Sequence, residues 1–379
     1  MPLLFLLAYT CSGLAGLVYE VSWTRLLTLY IGHTTAAASA VVAAFLGGLA
    51  AGAAGGGALA SRARPRQCLR AYVGLELLVA LFALLLPFEL QALTPLLGWA
   101  YADAAPGALF PAIRFASCVA LVCVPAAALG ATFPLAVRWF AHRASSPARA
   151  TSTLYALNTV GATAGSLLAG FTLIPAIGIS GTTRVGMLAS LLAASLVAVV
   201  AARDRTEDSS TGEPRWRAGV RLQPDPAPAR PWLAVSVLGL SGFASLVHEI
   251  AWTRILALVL GPTTYAFAAT LAAVVAGVAI GSGAGAWLVG RIRTGTHAAW
   301  LAAVLAAGGV TIVAGSALAG SWVPRTVAHE IAASPDSFSA LLQQGMLLTS
   351  ALILPTSICL GAAFPLGLSI AGTPDRKST

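Results

Sequence analysis

Long apolar segments follow one another along almost the whole chain and are separated by short polar connections. Each is roughly 20 residues or more, the length at which an α-helix crosses a hydrocarbon layer about 30 Å thick. Lipid cannot satisfy backbone N–H and C=O groups, so we expect helices. The ten predicted spans are 3–30, 34–60, 71–98, 112–134, 152–176, 180–201, 232–260, 263–290, 298–322 and 340–371. The pattern predicts an all-α polytopic membrane protein in a lipid bilayer.

The composition agrees with that class. Of the 379 residues, 58% are hydrophobic and only 9% are charged, whereas a soluble globular domain carries about 25% charged residues. The five cysteines form no C-x-x-C pair, and no nucleophile–base pair, metal-ligand spacing or phosphate loop is evident. We therefore expect no catalytic residue, no cofactor and no metal.

A net charge of +9 could indicate a protein that binds nucleic acid, but the distribution of the charge along the chain indicates a membrane topology instead. Most of the 22 basic residues lie on alternate connections between the predicted spans, and therefore on one side of the membrane. By the positive-inside rule that side is cytoplasmic and holds both termini. We expect a multi-pass protein of the bacterial inner membrane that binds no nucleic acid.

Two stretches show that the chain contains an internal repeat. "GLAGLVYEVSWTR" at 13–25 returns as "GFASLVHEIAWTR" at 242–254, and "GATFPL" at 130–135 returns as "GAAFPL" at 361–366. The recurring polar and glycine positions are Glu20, Trp23, Arg25, Gly48, Gly52 and Gly56, matched by Glu249, Trp252, Arg254, Gly277, Gly281 and Gly285.

The repeat divides the chain into three parts. Residues 1–201 form a first membrane repeat of six helices, 202–231 a proline-rich cytoplasmic linker, and 232–379 a second repeat of four helices. Because the first repeat has an even number of helices, the second begins in the same orientation. Parallel repeats of this kind relate the two halves of major-facilitator transporters, so we expect a major-facilitator-like fold with a truncated second half.

The repeated opening, the glycine ladder, "GATFPL" and "LYALNTVGATAGSLLAGF" together resemble the membrane region of bacterial fused major-facilitator/spermidine-synthase proteins. In that family a soluble aminopropyltransferase-like domain usually follows the helices. The present sequence shows no such domain, so we do not expect it to be an enzyme. "GALASRARPR" at 57–66 is also similar to the major-facilitator loop motif, but Ser61 stands where that motif has an acidic residue.

Charged residues inside membrane helices are costly and suggest function. Glu20 and Arg25 are five residues apart, about 140° around the helix axis, so they do not face each other. Pseudo-symmetry suggests that Glu20 pairs with Arg254 and that Glu249 pairs with Arg25. These pairs are a charged clamp, or they form a gate or substrate-binding group. In a third interpretation the arginines merely reach the membrane surface. Trp23 and Trp252 are expected near the outer interface, where indoles concentrate.

Further polar residues and the glycine ladders within the predicted spans are also candidates for a role in the site or in helix packing. We expect Glu76 to pair with Arg70 at the cytoplasmic edge, with a proton relay as the alternative. Asn158 is expected to bond across helices, and His248 is a structural residue or a protonation switch. The glycine ladders are expected to pack helices closely, or else to form a moving contact surface.

Two functions remain open. One is a transporter-like protein that moves a small solute by rocking its two repeats. The other is a non-transporting scaffold or anchor subunit for a synthase-like or other partner. The shorter second repeat leads us to expect that a partner, either a polypeptide with two further helices or a second copy of this chain, covers helices 9 and 10.

Overall fold

A computed structural model describes residues 2–32, 35–102, 109–143, 147–210, 231–261, 263–333 and 338–371. These residues form helices throughout and include no strand. The α-helices, in chain order, are α1 (Pro2–Ile31), α2 (Thr35–Arg62), α3 (Pro65–Ala102), α4 (Leu109–Ala141), α5 (Pro147–Leu167), α6 (Ile174–Ser210), α7 (Pro231–Leu260), α8 (Thr264–Val289), α9 (His297–Ala333) and α10 (Phe338–Ala371). A π-helical segment, Leu168–Leu173, joins α5 to α6, and a 3-10 turn, Thr294–Thr296, precedes α9.

The prediction of a polytopic helical membrane protein is confirmed. Nine of the ten predicted apolar segments each coincide with one helix, whereas 152–176 covers most of α5, the π-helical segment and the start of α6. The described residues contain eight segments long and apolar enough to cross a membrane. One of these, Thr153–Asp204, is 52 residues long. It includes a break at Gly178, where φ is 70° and the backbone leaves the helical region. A positive φ suits glycine because it has no Cβ.

The chain divides into two compact units, Met1–Gly212 and Glu213–Thr379. Unit 1 contains α1 to α6, and unit 2 contains α7 to α10. The division falls inside the predicted linker, although α6 continues to Ser210, past the predicted end of its span. The rest of the linker, 211–230, and the C-terminal residues 372–379 lie outside the described residues.

Within unit 1, α1 packs on α5 and α6, α2 packs on α4, and α3 packs on both α4 and α6. One core cluster includes Trp23, Phe45 and Leu129 from three of these helices. A second cluster gathers aromatic side chains, including Phe5 of α1 and Trp139 of α4, whose ring centroids are 4.5 Å apart. Side chains from distant parts of the sequence therefore form the interior of this unit.

The glycine ladders pack helices closely in both units. A Cβ built on Gly48 would lie 2.6 Å from the carbonyl oxygen of Cys123 on α4, and one built on Gly56 would lie 2.7 Å from the Cα of Ala131. In unit 2, a Cβ on Gly285 would lie 2.7 Å from the carbonyl oxygen of Ala362 on α10. The positions between them, Gly52 and Gly281, approach the backbones of α4 and α10 in the same way. The helix backbones therefore approach each other closely at these glycines.

Unit 2 is organised around α10, which packs on α7, α8 and α9. The Ser282 hydroxyl on α8 donates a hydrogen bond to the main-chain oxygen of Gly361 on α10, at 3.0 Å. The hydroxyls of Thr311 on α9 and Thr356 on α10 lie 2.9 Å apart. Polar bonds between helices of this kind add modestly to packing inside a bilayer.

Candidate functional site

A fully buried carboxyl group lies inside unit 1. Glu76 of α3 has 0% exposure although its helix is strongly apolar. The hydroxyls of Ser12 on α1 and Ser190 on α6, together with that of Tyr72 one turn earlier on α3, lie beside it. Among the described residues, neither carboxyl oxygen has a close hydrogen-bond partner, and the Tyr72 and Ser190 side-chain oxygens are likewise buried without one. We call Glu76 and these three residues the Glu76 cage.

Aromatic side chains close the cage on the α1 side. The rings of Tyr9 and Tyr72 lie 6.2 Å apart at an interplanar angle of 56°, and the hydroxyl of Thr132 on α4 lies beside that of Tyr9. Tyr19, also on α1, directs its hydroxyl toward Ser190. Tyr9 and Tyr19 are buried, with 2% and 0% exposure. The carboxyl group is thus enclosed by hydroxyls and rings.

The structure does not place Arg70 against Glu76, so the expected ion pair between them is wrong. Arg70 is exposed and lies with Val73 beside Ala198 and Ala201 of α6, around a cavity of about 240 Å³. Glu76 lies six residues further along α3, which rotates its side chain well away from that of Arg70.

The arginines at the same end of unit 1 have a different acidic partner. Asp204 of α6, only 6% exposed, lies 3.6 Å from the Nε of Arg66, measured from its Oδ2, and its Oδ1 accepts a hydrogen bond from Arg143. Arg66 also donates to the main-chain oxygen of Asp204 at 2.6 Å, and the guanidinium of Arg143 lies 4.7 Å from the Trp139 ring centroid. Meanwhile the Ser61 hydroxyl bonds within its own helix.

Sequence reasoning did not find Asp204 or the serines of the cage. A lone aspartate after an apolar helix looks like an ordinary helix end, and serines are common among the small residues of membrane helices. A usable signal was present in the polar positions of span 180–201, because Ser190 is a polar side chain in the middle of that apolar segment.

The predicted charges of α1 occupy contrasting environments. Glu20 is 4% exposed, whereas Arg25 is partly buried. Trp23, at 1% exposure, stacks on Tyr19 with ring centroids 4.8 Å apart and belongs to the core of unit 1. The indole fills a space between packed helices, so Trp23 is a core side chain, and its expected position near the outer interface stays a prediction. Asn158 of α5 faces α1 at Gly13, where an added Cβ would lie 2.8 Å from its Oδ1.

The matching residues of α7 repeat this arrangement within unit 2. Glu249 is 9% exposed and Arg254 is exposed. His248 is 5% exposed, lies against the backbone of Ile353 on α10, and its ring is 6.0 Å from that of Trp252. Trp252 is 2% exposed in the core of unit 2, and its expected position near the outer interface likewise stays a prediction. The pairings of Glu20 with Arg254 and of Glu249 with Arg25 would each require one residue from each unit, and they stay predictions.

The fold and these buried groups define a multi-pass α-helical membrane protein that carries carboxyl groups within its helices. Within the described part of the chain no three His, Cys, Asp or Glu side chains come together as metal ligands would. A comparison with models of protein families found none that matches this chain, and a comparison with curated proteins found no similar one.

Proposed function

We propose that this chain is a transporter-like protein of the bacterial inner membrane, with both termini cytoplasmic and a major-facilitator-like arrangement of two repeats that rock to move a small solute. One observation carries the proposal. Glu20 and Glu249 occupy equivalent positions in the two repeats and are both buried in apolar helices, at 4% and 9% exposure. A buried carboxyl group costs several kcal/mol inside a membrane and is kept where it binds or gates something.

The packing within each unit supports this function. Rocking requires that each repeat moves as a body rather than as separate helices. The glycine contacts of α2 with α4 and of α8 with α10 bring backbones together, and such closely packed pairs resist sliding. We therefore place the motion between repeats, and not within these helix pairs.

Uptake into liposomes that contain the purified full chain tests the proposal. We expect saturable uptake of at least one class among radiolabelled sugars, amino acids, organic cations and organic anions. Replacing Glu249→Gln is expected to reduce that uptake at least tenfold, which corresponds to about 1.4 kcal/mol or more. Glu89→Gln, a change at a partly buried carboxyl group of α3, serves as the control and is expected to retain uptake. Uptake equal to that of empty liposomes for every class would rule out solute transport.

A scaffold is the second candidate, and the exposed face of α9 favours it. Only 17% of the apolar window of α9 is buried, against 56% for α10. Large apolar side chains lie on its surface, among them Trp300, Val310, Val313, Leu318 and Trp322. Lipid covers such a face adequately, but a partner's transmembrane helices would cover it as well.

Native mass measurement after purification in mild detergent separates the two candidates. A scaffold is expected to carry a partner polypeptide or a second copy of this chain, and Val313→Trp on the exposed face of α9 is expected to release it. The control is Leu84→Trp, at a side chain that is exposed on α3. A particle that contains one chain and lipid only would remove the support for the scaffold.

A further inference from the structure

The Glu76 cage contains a carboxyl group without a compensating charge. In the described ranges no Lys, Arg or His forms an ion pair with Glu76, and Arg66 and Arg143 at one end of the unit bind Asp204 instead. Isolated charges are very costly to bury, and a carboxyl group avoids this cost by taking up a proton. The charge balance therefore favours the neutral acid.

The neighbours of Glu76 suit both of its charge states. A serine or tyrosine hydroxyl donates a hydrogen bond to an ionised carboxylate and accepts one from a protonated acid. An arginine in the same place would only donate, and would hold the carboxylate ionised. Ser12, Ser190 and Tyr72 thus allow the proton to be gained and lost without rearrangement of the helices.

From this geometry we infer that Glu76 is a reversible proton-binding site within unit 1. A proton adds to one carboxyl oxygen to give the neutral acid, no other bond forms or breaks, and the new O–H donates to a cage hydroxyl. A proton needs no coordination shell, so the close surroundings of Tyr9 and Tyr72 do not exclude it. The inference does not depend on solute transport.

The contacts between α3 and α6 indicate a route for the proton. Arg66 meets Asp204, Val73 meets Ala198, and Glu76 meets Ser190, so positions rise along α3 as they fall along α6. The cavity of about 240 Å³ is a groove open to the surface of α3 and α6, and its α3 residues, Arg70 and Val73, lie between Arg66 and Glu76 in the sequence. Glu76 is ten residues after Arg66, or about 15 Å along the helix. In this proposal the proton reaches Glu76 from this groove, past Val73, the lining residue that lies nearest to Glu76 along α3.

Other titratable groups face Glu76 and must be told apart from it. From α1 these are Tyr9, Cys11 and Tyr19, and from α3 itself Tyr72. The helix α6 contributes Ser190, which does not titrate, and α4 contributes Thr132 beside Tyr9. Thiols and phenols lack the C=O stretching band of a carboxylic acid, so that band distinguishes a carboxyl group from them, and its loss in Glu76→Gln distinguishes Glu76 from the buried Glu20 and Glu249.

Infrared difference spectroscopy of the full chain in lipid tests the site. We expect a carboxylic-acid band at neutral pH that disappears in Glu76→Gln, persists in Glu89→Gln, and moves in frequency in Glu76→Asp and Tyr72→Phe. In alkaline buffer the band should give way to carboxylate bands. The aspartate and phenylalanine variants keep the test available if the glutamine variant does not fold.

Two outcomes would overturn the inference. In the first, the difference spectrum of the native chain minus Glu76→Gln shows no carboxylic-acid band, which would mean that Glu76 is ionised. A band that persists at every pH would show a permanently neutral structural group. The route has its own test, because Ala198→Leu fills the cavity and is expected to slow exchange of the band in heavy water at least tenfold. Ser195→Leu, exposed on the same helix, should leave the exchange rate unchanged.

Discussion

Arg143, which follows α4, binds the carboxylate of Asp204 near the end of α6. The guanidinium of Arg66 on α3 binds both the carboxylate and the main-chain oxygen of Asp204. One buried aspartate thus ties the ends of three helices together. We expect Asp204→Asn to destabilise unit 1 by about 1–3 kcal/mol, a value below that of a fully buried pair because both arginines are more than a third exposed.

Unfolding in detergent measures this effect. A double-mutant cycle with Arg143→Gln is expected to show a coupling energy of about 1 kcal/mol. Arg64→Gln, at an exposed arginine between α2 and α3, is the control and is expected to change stability by less than about 0.5 kcal/mol. Strict additivity of Asp204→Asn and Arg143→Gln would show that the pair does not stabilise the protein.

The glycine ladder offers matched pairs of substitutions. Gly52→Ala places a methyl group against the Ala127 carbonyl of α4 and is expected to cost about 1–3 kcal/mol or more, because two backbones must separate. Gly55→Ala on the same helix meets nothing within 4 Å and is expected to be neutral or stabilising by up to about 1 kcal/mol.

The corresponding pair in unit 2 repeats the experiment. Gly281→Ala approaches the backbone of Ile358, whereas Gly283→Ala meets nothing within 4 Å. In thermal unfolding in detergent, the midpoint temperatures of Gly52→Ala and Gly281→Ala should be lower than those of Gly55→Ala and Gly283→Ala. Equal midpoints for all four variants would mean that these helices are not in backbone contact.

The two repeated tryptophans are expected to behave as core residues. Trp23→Ala and Trp252→Ala each remove a buried ring and should cost about 3–5 kcal/mol. Trp322→Ala, at a side chain that is 48% exposed, should cost much less. Chemical unfolding of the three variants measures the difference. A loss at Trp322 as large as at Trp23 would contradict the burial of the repeated pair.

Membrane orientation is open to direct measurement. In a background without the native cysteines, Asp103→Cys is expected to react with a membrane-impermeant thiol reagent from outside the cell, and Asp208→Cys only from inside. The physical reason is the concentration of arginines on the connections of the side that carries Asp208. Reaction of both positions from one side would contradict the positive-inside assignment.

How far the sequence predicts this protein depends on the range of the interaction concerned. The helices were predictable because a span needs a fixed number of consecutive apolar residues, and the close packing at Gly48, Gly52 and Gly56 was predictable from their regular spacing along one helix. Both are properties of a single segment. The burial of Glu20 and Glu249 follows from the same local reading, since each stands within an apolar run.

Contacts between helices could not be obtained in this way. The partners Arg66 and Asp204 are 138 residues apart, and Ser190 reaches Glu76 only because α6 packs against α3 at one particular register. Helix periodicity predicts which residues share a face but not which face of another helix meets it. For that reason the sequence alone determined the class of protein and its helices, whereas only the tertiary structure decided that Trp23 is core, that Arg70 does not bind Glu76, and that hydroxyls enclose that carboxyl group.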